Sequence, residues 1–374
     1  MTKNKNSKNN NKNNNKNNNK NNNKNKSSNM PFVSVCTPTF NRRPFIPFMI
    51  ECFKNQDYPK SRIEWIIIDD GTDKVEDIIK EANVPQIKYF KYENQMILGK
   101  KRNLMHEKSS GSIIVYMDDD DYYPPTRISH AVEKLQNNRN ALCAGSSILH
   151  VYFKHIEKII QFGPYGPNHA TAGTFAFRRQ LLDITCYDES QALAEEKKFL
   201  KNYTIPFVQL DPMKTILVFS HNHNTFDKRQ LLINPNPKVV KETNLKVSHF
   251  INDENTIDFI VNKIDKCIEN YEPGEPKNKP EVLKQINNLT KQRQEQIKKL
   301  EEENNNQLTG VIIEDIEKKE KKNLTRLEVK NLIEQQQELI KKQQFIIEQK
   351  SNNITELNKI ISVLTEKNNL LQEV

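Results

Sequence analysis

The sequence predicts an α/β fold: a mostly parallel sheet sandwiched between helices, continued by a C-terminal α-helical coiled coil. Three observations predict it. Short, wholly apolar runs alternate with helical stretches from residue 30 onward, as strands buried on both faces require. Acidic residues gather where those runs end, the edge at which parallel sheets carry their chemistry. Near the end of the 374-residue chain, isoleucine repeats every seven residues.

Taken in order, Val33-Ser34-Val35-Cys36 is the first strand, and Pro44 is placed to open a helix. Ile63 to Ile68 forms the second strand and ends on Asp69-Asp70-Gly71; Ile87 to Tyr92 forms the third. Lys100 to Lys108 is a helix stopped by Ser109-Ser110-Gly111. Ile113 to Met117 is a fourth strand that runs directly into Asp118-Asp119-Asp120-Asp121, and Pro124-Pro125 open a helix to about Asn137. From Leu142 to Phe177 the pattern is shorter and richer in Gly and Pro. Helical signals return over Gln191 to Asn202, and Thr215 to Phe219 reads as a strand. Three prolines and a glycine between Tyr271 and Pro280 read as a linker. The expected division is a tail over 1–29, a catalytic-type domain over 30–272, a linker over 273–280 and a helical region over 281–374.

Within the helical region, Ile333, Ile340, Ile347, Ile354 and Ile361 keep a heptad, with Asn368 next in the series. Leu357, Leu364 and Leu371 supply the second seam. Ile at one core position and Leu at the other favour a parallel two-stranded coil, and one core Asn fixes register, so the chain is expected to form a homo-oligomer, a dimer, from about residue 329. Gln336, Gln343 and Lys350 weaken the earlier half of that seam. Residues 281–328 read as helix with breaks.

Charge excludes less than its sum suggests. Lys+Arg is 57 and Asp+Glu is 48, a net +9, yet eight lysines and no acids lie in residues 1–29. Residues 30–272 balance, so the basic excess is no footprint for specific nucleic-acid binding. The tail, five of its lysines spaced by three asparagines, buries nothing apolar and is expected to be disordered. Such a composition is what an AT-rich genome encodes. No run approaches the ~20 apolar residues of a spanning helix, and residues 1–30 lack the apolar centre of a secretory signal. A soluble cytoplasmic protein is expected, or one of a virus factory or virion if the source is a large AT-rich DNA virus. The five cysteines never form a C-x-x-C pair and are expected as small buried hydrophobes.

Four consecutive carboxylates after an apolar strand repel one another, and a divalent cation removes that cost. Mn2+ or Mg2+, held by two carboxylates with phosphate and water oxygens completing the shell, fits the pattern. In an extended segment Asp118 and Asp120 point the same way and can share one ion.

The motifs then become specific. Val33 to Arg42 resembles the opening strand of family 2 glycosyltransferases of the GT-A fold. Ile66 to Asp73 is similar to that family's second-strand motif, Gly99 to Asn103 to its diphosphate segment, and Ile113 to Asp121 to its D-x-D motif. The resemblance implies a GT-A, Rossmann-like sandwich that transfers a sugar from a nucleotide-diphosphate sugar, UDP-type favoured, to a glycan or protein hydroxyl, with a metal and with inversion. It implies that Thr37, Pro38, Thr39, Asn41 and Arg42 line the nucleotide pocket. Asp70, with Asp69 as the alternative, would accept from the base; Arg102 would approach base or diphosphate; Asp118 would contact ribose or metal-bound water, and Asp120 the metal. Ala194 to Leu200 resembles the acidic-pair motif, making Glu196 the general base and Glu195 its alternate. His221 to Thr225 resembles a late H-x-x-N-T segment, making His221 a third metal ligand and His223 its alternate.

Two other readings compete. Tyr116-Met117-Asp118-Asp119 spells a reverse-transcriptase tetrapeptide, but that reading needs a basic template channel and leaves residues 66–73 unexplained. A catalytically degenerate domain serving as a coiled-coil scaffold would have no use for Asp70, Arg102, Asp118 and Asp120 together.

Overall fold

The computed structural model describes residues 30–190, 196–315 and 320–372. The Asn/Lys tail and Glu195 lie outside the described residues.

Strands β1 (Val33–Thr39), β2 (Ile63–Asp69), β3 (Ile87–Lys91) and β4 (Ile113–Tyr116) form a parallel ladder in the order β3-β2-β1-β4. Next along the chain come β5 (Cys143–Gly145), β6 (Leu149–Phe153), β7 (Lys158–Phe162), β8 (Ala176–Arg178) and β9 (Phe207–Gln209). The main sheet continues past β4 through β8, β5 and β9 to seven strands, with β8 antiparallel to both neighbours. A second sheet adds β10 (Leu217–Ser220) and β11 (Val240–Glu242) in the order β10-β6-β7-β11. Helices α1 (Ile46–Lys54), α2 (Glu76–Glu81), α3 (Leu98–Lys108) and α4 (Arg127–Asn137) cover the main sheet's crossovers.

The unbroken apolar strands are explained by burial on both faces. Along β2, Trp65 and Ile67 enter one core cluster while Ile66 and Ile68 enter another; along β4, Ile113 and Val115 oppose Ile114 and Tyr116. The first cluster takes Phe53 of α1 and Leu135 of α4, the second Met105 of α3. Each such side chain contributes about 1.5–3 kcal/mol by leaving water. Trp65 also stacks on Phe53 with centroids 4.2 Å apart. Its indole N–H donates to Thr37 Oγ1 (2.9 Å), and that hydroxyl donates to the Met117 carbonyl (2.6 Å). This relay fixes the end of β4, where the aspartates begin.

Beyond the sheets lie α5 (Glu196–Phe199), α6 (Glu254–Asp258), α7 (Ile264–Glu269) and α8 (Pro280–Asn306). The helical signal over 191–202 is realised, among the described residues, only by α5. Lys201, Asn202 and Tyr203 all take left-handed φ values (47°, 56° and 63°), which a continuing helix does not allow. The expectation of five buried cysteines needs correction, because Cys186 and Cys267 are exposed. In each case the neighbours take the inner positions: Tyr187 beside Cys186, and Ile264 and Ile268 around Cys267.

The chain forms two units, one ending at Asn287 and the other beginning at Asn288. In the second, the expected helical break is a two-stranded antiparallel sheet of β12 (Leu308–Asp315) and β13 (Glu320–Thr325), where Val311, Ile312 and Ile313 supply β-branched residues. It is followed by α9 (Arg326–Gln372). Among the described residues no helix is long and apolar enough to cross a membrane.

One buried acid ties the main sheet together. Glu64, the second residue of β2, accepts from Ser34 Oγ (2.5 Å), Ser110 Oγ (2.9 Å) and Lys88 Nζ (2.6 Å), reaching β1, β3 and the turn before β4. Burial acts to raise its pKa, but Lys88 and the two serines outweigh it and hold the carboxyl down at about 2. A depressed carboxylate stabilises above its unfolded pKa, and that stabilisation is lost as pH falls toward the folded value. Glu64→Gln should therefore be less stable than the parent at pH 7 by about 1–3 kcal/mol. In urea unfolding followed against pH, the gap should narrow between pH 5 and pH 3; a constant gap would show that Glu64 acts through shape alone.

Candidate active site

The aspartate turn leaves β4 at its carboxyl edge and is compensated from four directions. The Asp118 N–H donates to Tyr123 Oη (2.7 Å), and that hydroxyl donates to the Gly173 carbonyl (3.3 Å). From the end of β1, Arg42 sets Nε 3.7 Å from Asp119 and Nη2 3.5 Å from Asp120. From the end of β10, His221 Nε2 lies 3.3 Å from Asp120 Oδ2. The Phe219 N–H donates to Asp121 Oδ1 (3.1 Å), and Tyr122 and Leu217 exchange backbone hydrogen bonds beside it, joining the turn to the second sheet. Arg127, fully buried, donates to the Thr174 and Phe175 carbonyls (2.8 Å each) and holds the facing turn. Gly173 sits so close that a Cβ there would lie 2.7 Å from Asp118 Oδ2, so only glycine fits without displacing the acid.

These surroundings divide the acids. Burial, then repulsion from Asp120, pushes Asp119 up to about 7 and raises Asp121 as well. Burial acts on Asp120 in the same sense, but the His221 hydrogen bond and Arg42 outweigh it and hold Asp120 well below the usual carboxylate range. Burial pushes His221 down to about 4 against the pull of Asp120, leaving a neutral imidazole at pH 7. Two carboxylates and a neutral imidazole are a donor set suited to Mn2+ or Mg2+ with phosphate oxygens completing the shell. Among the described residues, no three His, Cys, Asp or Glu side chains are arranged to hold an ion.

At the end of β2 the two aspartates differ. Asp69 accepts from the Gly71 and Val75 N–H groups (2.9 and 3.1 Å) and from Tyr89 Oη (2.6 Å), which makes it a staple of the following turn. Asp70 accepts from the Met96 N–H (2.6 Å) and is paired with Lys101, both side chains being buried.

A cavity of about 390 Å³ opens beside the turn and is lined by Phe40, Arg42, Lys101, Asp118, Asp120, Asp121, Gly173, Lys228 and Lys279, among others. A neighbouring cavity of about 380 Å³ is lined by Phe40, Asn41, Asp70 and the segment 272–278. Of the sequence-predicted residues, Asn41, Arg42, Asp70, Asp118 and Asp120 thus line the two cavities, and His221 joins Asp120 behind them. Thr37, Pro38 and Thr39 do not line either; the Thr37 hydroxyl is spent on the Trp65–Met117 relay. Arg102 lies away from both, its guanidinium 4.5 Å above the Tyr116 ring and 5.6 Å from that of Tyr187. Glu196 starts α5 and lies in neither lining. Lys101, Lys228 and Lys279 escaped the sequence reading, although Lys101 stood inside the Gly99–Asn103 motif.

In open α/β sheets ligands bind outside the carboxyl ends of the strands, where this acidic turn and cavity lie. Residues 34–193 match glycosyl transferase family 2. A dolichyl N-acetyl-glucosaminyl phosphate diacetamido-dideoxy-glucuronosyltransferase of Methanococcus voltae is 47% identical over 53 residues, 14% of this chain and 16% of that protein. A probable glycosyltransferase of Sulfolobus acidocaldarius is 31% identical over 117 residues, 30% and 25% of the two chains. The chain thus spans a quarter or less of these relatives' length. Among solved structures, S. aureus TarS 1-349 in complex with UDP-GlcNAc is similar at 20% identity and TM-score 0.40, over 50% of this chain and 58% of that one. The mannosyltransferase PcManGT of Pyrobaculum calidifontis, in complex with GDP-Man and Mn2+, is similar at 14% identity and TM-score 0.44, over 66% and 75%.

Because Asp70 and Lys101 are both buried, removing one strands the other. Lys101→Met should cost about 3–5 kcal/mol. Asp70→Asn in the same chain should recover part of that loss in thermal or denaturant unfolding; an undiminished midpoint for the single variant would contradict the pairing.

Proposed function

We propose that the domain transfers a sugar from a nucleoside-diphosphate sugar, UDP-type favoured, to a hydroxyl of a glycan or protein acceptor, with a divalent cation and inversion at the sugar. The observation that carries this reading is the Asp118–Asp121 turn, set beside a cavity at the carboxyl edge of the sheet and balanced by Arg42 and His221. Asp118 and Asp120, with His221, would hold Mn2+ or Mg2+. When bound, the cation supplies charge stabilisation to a departing diphosphate. Arg42 orients Asp119 and Asp120. Asp70, oriented by Lys101 and the Met96 N–H, would accept from a base N–H in the neighbouring cavity, where Asn41 supplies a second polar wall.

An inverting transfer needs a base for the acceptor hydroxyl. Glu196 is assigned that role on the motif resemblance, since it is not part of either cavity wall. In the C-terminal unit, Ile333, Ile340, Ile347, Ile354 and Ile361 are 50–66% exposed along α9, and we read this stripe as a dimerisation seam.

Titration of UDP into the full chain tests the donor reading. Binding should require Mn2+, and Asp120→Ala should weaken it on the order of tenfold or more, the worth of a charge-assisted contact. Manganese-independent binding, or an unaffected Asp120→Ala, would overturn the metal assignment. A hydrolysis screen across nucleotide sugars identifies the donor without the acceptor. With the donor in hand, Glu196→Gln should lower transfer about 10²–10⁴-fold while UDP affinity stays at the parent value; parent-level transfer would move the base elsewhere.

A further inference from the structure

The family match ends at residue 193, yet the cavity walls do not. Residues 271–282 return to the carboxyl edge of the sheet and are fastened there. Tyr271 Oη donates to Asp73 Oδ2 (2.7 Å), Asn41 Nδ2 to the Pro273 carbonyl (2.9 Å), and Arg42 Nη1 to the Gly274 carbonyl (3.3 Å). Gly274 approaches so closely that a Cβ would lie 2.5 Å from His223 Nδ1 and 3.0 Å from the Asn41 carbonyl. This strap ends at Lys279, whose ammonium donates to Thr225 Oγ1 (3.0 Å), lies 5.4 Å from the Phe40 ring centre and lines the same cavity as Asp118, Asp120 and Asp121.

Of the cations lining the cavity, Lys228 and Lys279 have no ion pair among the described residues, and Lys279 is the one carried by the strap. Arg42 is engaged by Asp119 and Asp120, and Lys101 by Asp70. Among the described residues, no carboxylate oxygen lies within ion-pairing distance of Lys279 Nζ. Burial and the nearby Arg42 push this ammonium down to about 7, against the pull of Asp119 and Asp120. A neutral Thr hydroxyl and an aromatic face hold it without neutralising it.

We propose that Lys279 is a donor-binding residue that contacts the phosphates of the nucleotide sugar, supplied to the site by a strap outside the family-matched segment. The proposal rests on the nucleotide-sugar reading above. A cation lining the same cavity as the acid turn would offset diphosphate charge that a metal at Asp118 and Asp120 leaves uncompensated. A purely fastening role would instead affect every ligand of the site alike.

The test compares UDP, UMP and uridine, each titrated into the full chain with Mn2+, for the parent, Lys279→Met and Lys279→Arg; GDP is run on the parent. Lys279→Met keeps the apolar stem over Phe40 and removes the charge, and an unchanged thermal midpoint checks its fold. The expected result is a loss of UDP affinity on the order of tenfold to a hundredfold in Lys279→Met, unchanged uridine affinity, and recovery in Lys279→Arg. Equal losses for UDP and uridine, or none for UDP, would overturn the role of Lys279 while leaving the donor reading standing. A parent chain that binds neither UDP nor GDP would instead remove the donor reading, and this proposal with it.

Discussion

Four carboxylates in sequence at the end of a buried strand are the constraint around which this domain closes. Two such charges 5–6 Å apart near a protein surface repel by roughly 3 kcal/mol, and the turn contains several such pairs. The fold answers with groups drawn from distant parts of the chain: Arg42 after β1, and Phe219 and His221 at the end of β10. Each of these contacts also positions an element. The second sheet is held to the first partly because Asp121 takes the Phe219 N–H and Tyr122 pairs with Leu217. Site and architecture are therefore the same set of interactions seen from two sides.

The two walls of the site are built differently. On the sheet side, Trp65, Thr37, Met117 and Arg127 form a fully buried framework in which every hydrogen bond ends on a backbone carbonyl or a hydroxyl. Such a framework holds the aspartates in place before any ligand arrives, the arrangement that electrostatic stabilisation requires. The strap side is held by a few single hydrogen bonds, most of them at partly buried positions, and local opening there costs less than disrupting the core.

Much of the fold was legible because periodicity reports burial. The apolar runs at 63–68, interrupted only by Glu64, and at 113–117 read as central strands, and they are. The acid turn was legible for a similar reason, since four aspartates after such a strand have no structural economy without compensation. What escaped had a different physics. Lys101 and Arg102 are adjacent in a helix and differ only in which face each occupies, so sequence alone favoured the arginine while the structure turns the lysine to the cavity. The prolines and glycine over 271–280 read as a linker because turn chemistry looks alike whether a segment is free or fastened; the partners, Asn41, Arg42 and Asp73, lie some two hundred residues away. The strand pair at 308–325 was masked by polar residues flanking a short β-branched run.

The hydrogen bond from Asn41 to the Pro273 carbonyl joins residues 232 apart. Contacts of that sequence separation form late, because the intervening chain must first be ordered. A nascent chain emerging from the ribosome acquires its strands and its aspartates well before residues 271–279 exist to meet them. The pocket is consequently completed by the last segment of its unit to be synthesised, so competence to hold a ligand coincides with the end of folding and not with the appearance of the acidic turn.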